Sequence, residues 1–454
     1  MTNSSCWRHL DVIDVFVRFR VVFRSIQCAV IIAWSTILLT SPTAQAQSGA
    51  SANDVVTRAL QANRELSAAR LDLERGRARL RQAGLRPNPT LDLEHTTGRL
   101  TGSPEERDLS VGVALPLEVG RTRRRRVDLA QAELAAIEAE VADRERRLTA
   151  DVLIAYAAVL GAQREVQITN EVEGLDGQAM RVVQIRVEKR DAAPLELNLL
   201  RTEVERLRAR RMLAEGRVSA ALVMLNNVIG SSQGQPVTVV ETLTAQLVES
   251  HRSVTTLDAA IATALQRRPD LQMARLNELT AEAGLRLARA QAFPEMTVSG
   301  RFITSRTAND LPTPLAPVIQ QDRALAFGVS IGLPFLNANQ GARAEAAVAI
   351  RQAQLRREFT EQLVRAEVTS AFRRVEAARA AIAIFEQGVI DRSTDNIRVV
   401  RAAYELGEFR ITDLINEQRR LLDSQREYTD ALIEGYRALV DLNAAVATAP
   451  GSQP

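Results

Sequence analysis

The sequence predicts an α+β membrane protein in which one unit, helix, two strands, long helix, return helix, is written twice. Three observations carry that prediction. First, Ala59-Leu60-Gln61, Leu66 and Ala69-Arg70-Leu71 return about 205 residues later as Ala264-Leu265-Gln266, Leu271 and Ala274-Arg275-Leu276. Likewise Arg181-Val182-Val183, Glu188, Leu197 and Leu225-Asn226 return about 217 residues later as Arg398-Val399-Val400, Glu405, Leu414 and Leu442-Asn443. Second, Arg121 to Lys189 and Ala338 to Leu406 contain no Pro, so each can form a rod of about 100 Å at roughly 1.5 Å per residue. Third, Leu109, Val111, Val113, Leu115 and Leu117 alternate with Ser110, Gly112 and Ala114, and Leu325, Phe327, Val329, Ile331 and Leu333 alternate with Ala326, Gly328, Ser330 and Gly332. That is the period of a strand with one apolar face. A repeat this long does not build a solenoid, so the two copies form one pseudo-symmetric body.

Residues 1–46 read as a signal peptide. Arg8, Arg18, Arg20 and Arg24 precede the apolar run from Ala29 to Leu39, and Ala44-Gln45-Ala46 supplies a small-x-small cleavage pattern. Both Cys and both Trp fall in this segment, so the chain from Gln47 has neither. It therefore has no disulfide, no thiolate metal site and no cysteine to acylate. The formal net charge of +3 less the segment's four Arg and two Asp leaves +1, far from the basic stripe of a nucleic-acid binder. After residue 46 no apolar run approaches the roughly 18 residues of a transmembrane helix. A membrane role must use strands.

Repeat 1 occupies 47–229. A helix from Asn53 to Arg86 stops before Pro87, strands follow at about 90–97 and 109–117, a long helix covers 120–189 and a return helix 194–229. Residues 230–257 form a linker or equatorial segment. Repeat 2, 258–447, has its own opening helix, strands at about 296–304 and 324–333, a long helix at 338–406 and a return helix at 411–447, with 448–454 as a tail. The Pro-rich run Ala308 to Pro317 reads as an outward-facing loop. Along the first long helix Val127, Ala130, Leu134, Ile137, Val141, Leu148, Val152, Ala155, Val159, Ala162 and Val166 keep 3-4 spacing, as do Val375, Ala378, Ile382, Phe385 and Val389 in the second. This is an Ala-rich coiled-coil seam.

The strands impose closure. An open sheet edge in hydrocarbon leaves backbone groups unpaired at several kcal/mol each, and the smallest membrane barrels use about eight strands. Four strands from one chain are too few, so the barrel is shared between copies, as eight strands from two or twelve from three. Phe293, Phe302, Phe327 and Phe335 are candidates for a thin aromatic girdle at the membrane interfaces.

The duplicated element order, the strand-ending Pro116 and Pro334, and the segment Arg401-Ala402-Ala403-Tyr404-Glu405-Leu406-Gly407-Glu408-Phe409-Arg410-Ile411-Thr412-Asp413-Leu414 resemble the TolC-like outer-membrane efflux proteins over nearly the whole chain after the signal. The resemblance implies a homotrimer with a trimeric twelve-stranded β-barrel, four strands per subunit, in the outer membrane. A long α-helical coiled-coil barrel continues it through the periplasm, and its tips meet a periplasmic adaptor (membrane-fusion) protein and an inner-membrane RND-type pump. Leu115-Pro116-Leu117-Glu118-Val119-Gly120-Arg121-Thr122-Arg123 further resembles the strand-to-helix junction of the CzcC-like branch, which serves heavy-metal efflux.

In the hairpin Leu406 to Asp413, Gly407 ends the long helix and Thr412 or Asp413 is read as the N-cap of the return helix. By the resemblance, Asp413 matches an acidic periplasmic gate position and Asn416 stands at the next one. Glu196 is the repeat-equivalent of Asp413. Carboxylates at the entrance would concentrate cations, although both residues also suit plain helix capping. Arg401, Leu406, Gly407, Phe409, Ile411 and Thr412 form the adaptor-docking tip on the same ground. Repeat 1 departs from this pattern with Arg190 for Gly407 and Pro194 for Ile411.

Arg123-Arg124-Arg125-Arg126 reads as a solvated helix face below the barrel, or else as a contact for acidic lipid groups, since no aromatic interleaves it as in a nucleic-acid patch. His95 reads as lumen- or rim-facing, and with His251 in the linker no His cluster can hold a metal. No phosphate-binding glycine loop, Gly-x-Ser-x-Gly or thiol nucleophile occurs, so no enzyme and no cofactor are expected. The expected function is a passive outer-membrane export duct of a tripartite efflux system, with cobalt, zinc or cadmium as cargo. The alternatives are drug or organic-solute efflux, a type I secretion channel, or a soluble periplasmic coiled-coil scaffold.

Overall fold

Capping decides where each copy of the repeat begins. In the computed structural model, which describes residues 50–100, 105–230, 238–244, 256–309 and 318–448, Ser51 accepts the Asp54 N–H at 3.3 Å while Asp54 accepts the Ser51 N–H at 3.1 Å. This reciprocal box starts α1 (Ala52–Ala62). The expected signal peptide, most of the linker, the tip of the Pro-rich loop and nearly all of the tail lie outside the described residues. From Ser51 onward the chain is one unit.

The opening helix of each copy is broken once, although in repeat 1 the sequence predicts one helix from Asn53 to Arg86. Asn63 adopts φ −64, ψ 122 between α1 and α2 (Arg64–Ala83), and Arg268 adopts φ −63, ψ 122 between α5 (Leu257–Arg267) and α6 (Pro269–Ala290). The causes differ. Asn63 caps α2 by accepting the Leu66 N–H at 2.9 Å and donates to the Val228 carbonyl at 2.9 Å. Arg268 precedes Pro269, which disfavours helical backbone before it. Its 2 % exposed guanidinium is held by Asp270 at 2.6 Å and Glu367 at 2.6 Å.

The four strands form one antiparallel sheet in chain order: β1 (Thr90–Thr97), β2 (Arg107–Leu117), β3 (Met296–Asn309) and β4 (Val318–Ile331). Three strands begin or end outside the alternating core of their sequence, because backbone pairing carries on through polar residues. β2 starts at Arg107, β3 reaches Asn309 and β4 starts at Val318, although β4 ends at Ile331, two residues short of the expected strand. Pro116 lies inside β2 opposite Thr297, at a point beyond Ala114 where β1 no longer covers that strand. An edge position tolerates the missing donor.

Gly120 turns the chain from sheet to helix. Its φ is +74, and a Cβ there would meet the Phe293 ring at 2.7 Å, so only glycine fits. Arg121 (φ 64) and its repeat-equivalent Asn339 (φ 56) then take the same left-handed conformation as N-caps of the long helices.

The first long helix, α3 (Thr122–Glu188), is continuous for 67 residues, about 100 Å. The second is not. α7 (Gln340–Ile384) passes through a π-helical turn, Phe385–Val389, into α8 (Ile390–Glu405). The Tyr428 hydroxyl donates to Glu386 at 2.7 Å within that turn. The return helices are α4 (Pro194–Ile229) and α9 (Ile411–Val446). Buried Ala130, Ala136, Ala139, Ala157 and Gly161 give α3 small residues, and it packs along α2, α4, α6 and α9. Small side chains let helix axes approach closely, at the short end of the usual 8–10 Å.

Candidate functional site

Two hairpin tips close the helical end. In repeat 2, Gly407 (φ +83) donates to the Tyr404 carbonyl at 3.0 Å and Glu408 donates to the Ala403 carbonyl at 2.9 Å. This Schellman pair satisfies the last carbonyls of α8. Repeat 1 forms the same pair without glycine. Arg190 (φ 67) donates to Val187 at 3.0 Å and Asp191 to Arg186 at 2.8 Å.

The N-cap of α9 is Arg410, and neither Thr412 nor Asp413 takes that position. The chain is extended through Arg410 (φ −88, ψ 157), so helical geometry starts two residues earlier than the residue types suggest. Asp413 is exposed at the third helical position and accepts the Arg410 N–H at 3.0 Å. Glu196, at the matching position of α4, turns instead across the interface, where its Oε2 accepts the Tyr404 hydroxyl at 3.2 Å. Arg186 lies over the Tyr404 ring at 5.3 Å. Burial first and Glu196 second push the Tyr404 phenol up to about 12, so it is a hydrogen-bond donor at neutral pH.

Asn416 and Thr412 are exposed near Asp413, while Leu406 and Phe409 present exposed apolar surface. Ile411 is 3 % exposed. It belongs to the tip core with Val183, Leu200, Ile397, Leu414 and Ile415, so it holds the shape of the tip and offers no side chain to a partner. Arg401 is half-buried and acts electrostatically on Asp176 in α3.

Above this core lies a polar layer that the seam pattern does not announce as functional. Asp176 is fully buried, and no hydrogen bond of good geometry reaches either carboxylate oxygen, although the Gln418 amide lies beside it. Burial first and the nearby Glu203 second raise it to about 7. Glu203, 5 % exposed, accepts two bonds from Arg419 at 3.1 and 2.5 Å. Those bonds hold its carboxyl below the usual range. A second apolar layer, Ile168, Val172, Leu207 and Leu422, closes the far side. The sequence signal was present: Asp176 continues the spacing of Ile168 and Val172, and Gln418 continues that of Ile411, Leu414 and Ile415, so both are polar residues at core positions.

At the other end, the register puts Leu91, Leu93, Val111, Val113, Leu115, Val298, Phe302, Leu325, Phe327 and Val329 on one face of the sheet, and all are exposed. The opposite face carries Asp92, Glu94, Ser110, Ser299, Arg301 and Ser330, with Arg301 paired to Glu94 at 3.3 Å. Phe302 and Phe327 sit mid-strand in the apolar face and therefore not at an interface. Phe293 and Phe335 flank the helix-proximal end and are exposed. His95 lies opposite Leu109 at the distal end of the apolar face, so it does not face the polar side.

Two of the four side chains in the Arg123–Arg126 run are structural, which corrects its reading as a wholly solvated face, while Arg124 stays exposed. Arg126 donates to the Ala83 and Leu85 carbonyls at 2.9 Å each and to Glu118 at 2.5 Å, and Arg123 donates to the Gly84 carbonyl at 2.6 Å. Two side chains from the start of α3 thus cap the end of α2. Among the described residues no helix is long and apolar enough to cross a membrane, and no three His, Cys, Asp or Glu are grouped to hold a metal.

The profile of the family described as "Outer membrane efflux protein" matches residues 55–231 and 260–448. The chain is 21 % identical over 371 residues to the outer membrane protein TolC of Vibrio cholerae, covering 81 % of this chain and 83 % of that one. It is 24 % identical over 395 residues to the cobalt-zinc-cadmium resistance protein CzcC of Cupriavidus metallidurans, covering 84 % and 86 %. Among solved structures, a crystal structure of CusC superposes with a TM-score of 0.72 at 20 % identity, covering 87 % of this chain and 91 % of that chain.

Proposed function

The chain belongs to the outer membrane efflux protein family, and from that premise we propose that three copies assemble into a passive duct that exports divalent metal cations. As an outer-membrane efflux channel of tripartite systems it is not an enzyme. Its fold is TolC-like, with the sheet in the outer membrane and the helices in the periplasm.

The observation that carries the assembly is the sheet. Four strands with an exposed apolar face end in two unpaired edges, β1 and β4. In hydrocarbon each edge must meet another strand, and identical copies supply a β1 edge for every β4 edge. Three copies give twelve strands. The hairpin tips then gather at the periplasmic end, where Leu406, Gly407, Phe409 and Thr412 are the surface offered to an adaptor, while Asp413, Asn416 and Glu196 line the entrance fed by an RND-type pump.

Divalent cations as cargo are supported by the CzcC relative, whose own name carries cobalt, zinc and cadmium resistance, and by the exposed Asp413 at the tip. A duct needs weak sites, since tight ones stop flux. A deletion strain tests this directly. Tolerance to cobalt, zinc or cadmium falls and returns with the wild-type gene. Unchanged metal tolerance with lost tolerance to organic solutes moves the cargo to that class, and a monomeric mass in detergent removes the duct altogether.

A further inference from the structure

The outward face of the sheet changes chemistry at its distal end. β1–β2 and β3–β4 are joined by hairpin loops at the end away from the helices, so this end is the extracellular rim of the barrel. On positions that continue the apolar face, Arg107 stands directly opposite Arg306, and Arg323 stands opposite Thr304, one step along β3 from Arg306. Opposed Cβ atoms lie about 5 Å apart and diagonal ones about 7–8 Å. Three guanidinium groups therefore share one patch.

Their surroundings leave the patch cationic. Arg107 and Arg323 are exposed, and Arg306 is half-buried with its Nε lacking any hydrogen-bond partner. Among the described residues the carboxylate paired with them is Glu105, at 2.9 Å from Arg306. Asp108, next to Arg107, points to the other face and accepts the Ser305 hydroxyl at 2.6 Å. Like charges placed opposite each other disfavour a sheet, and an anion between them reverses that sign. On β2 the patch begins two residues beyond Leu109, roughly 7 Å past that strand's last apolar position on this face, while on β4 the exposed Ile319 lies beyond Arg323, so the guanidinium groups sit at the border between the apolar face and the rim.

We propose that Arg107, Arg306 and Arg323 bind the phosphate groups of an anionic lipid of the outer leaflet. Guanidinium forks match phosphate bidentately, and the apolar face directly below accepts the acyl chains of the same molecule. This rests on the outer-membrane reading of the sheet.

Full-length protein purified from membranes in detergent is offered bisphosphorylated lipid A or the same glycolipid with its phosphates removed, and bound lipid is counted by native mass spectrometry. The phosphorylated form is expected to be retained about tenfold more, the size of one bidentate contact. Raising salt from about 50 to 500 mM should release it, as should Arg107→Gln with Arg323→Gln, whereas Arg124→Gln leaves it unchanged. Equal retention of the two lipids by the wild type overturns the proposal, and that comparison stands even where the double variant fails to fold. Release by inorganic phosphate at equal concentration overturns the lipid as source. Absence of the protein from outer-membrane fractions sinks the barrel itself, an outcome separate from failed phosphate dependence.

Discussion

Arg190 and Gly407 perform the same backbone turn, φ 67 and φ 83, yet only glycine does so without strain. A left-handed L-residue costs about 1–2 kcal/mol. Arg190→Gly should raise the unfolding free energy by about 1 kcal/mol and Gly407→Ala should lower it by a similar amount, both read from thermal melts followed by circular dichroism. No change in either would mean that the turns are not formed. Asp176 gives the pH dependence. Its carboxyl is raised from 3.8 to about 7, so the packed layer has its full stability below about pH 4 and loses it progressively as pH rises toward 7, by about 4 kcal/mol in all. The groups that face it are Glu203 on α4, Arg401 on α8, and Gln418 and Arg419 on α9. Asp176→Asn should abolish that slope. Hydrogen exchange in α3 and α9 between pH 5 and pH 8 measures it, and identical slopes in wild type and variant would refute the assignment. Neither environment could be read from the chain, because a seam position gives depth but not the partners that converge on it. Asp413 and Glu196 make the same point: equivalent in sequence, one binds its own helix start and the other crosses to Tyr404.

Among the elements, the two hairpins are joined by Arg419 of α9 and Glu203 of α4. Arg419→Ala removes both hydrogen bonds from a nearly buried carboxylate and leaves it only Arg206 at 3.9 Å, which costs about 3 kcal/mol. Replacing both residues by Leu should cost less than the single change. A single-mutant cost no larger than the double would remove the clamp from the account, and urea unfolding of the detergent-solubilised chain decides it. Arg126 ties α3 to the end of α2, and Arg126→Ala should cost about 1–3 kcal/mol by freeing the Ala83 and Leu85 carbonyls and Glu118. Strand alternation and freedom from Pro were enough to place the strands and the rods, since both are local properties. The break at Asn63 and the π turn at Phe385–Val389 were not legible. They answer to contacts with Val228 and Tyr428 that lie far off in sequence, whereas the break at Arg268 has a local sign in Pro269 that the repeat pattern passed over.

For the whole molecule, the two faces of the sheet should respond differently to charge. Val113→Arg, mid-strand on the apolar face, should cost about 2–4 kcal/mol and reduce the heat-modifiable barrel species on gels. Ser299→Arg, on the polar face, should leave that species intact and change single-channel conductance. Equal effects at the two sites would contradict the assignment of faces. Closure was legible because an open sheet in lipid is so unfavourable that four strands demand company. The cargo is not written in the fold, since a duct touches its passenger weakly. One consequence follows from the paired Schellman turns, one built on arginine and one on glycine. In the proposed trimer, six feet of two kinds would be set down alternately. A companion subunit resting on a single foot would meet one of two surfaces, whereas one spanning a neighbouring pair would find the same footing at every place.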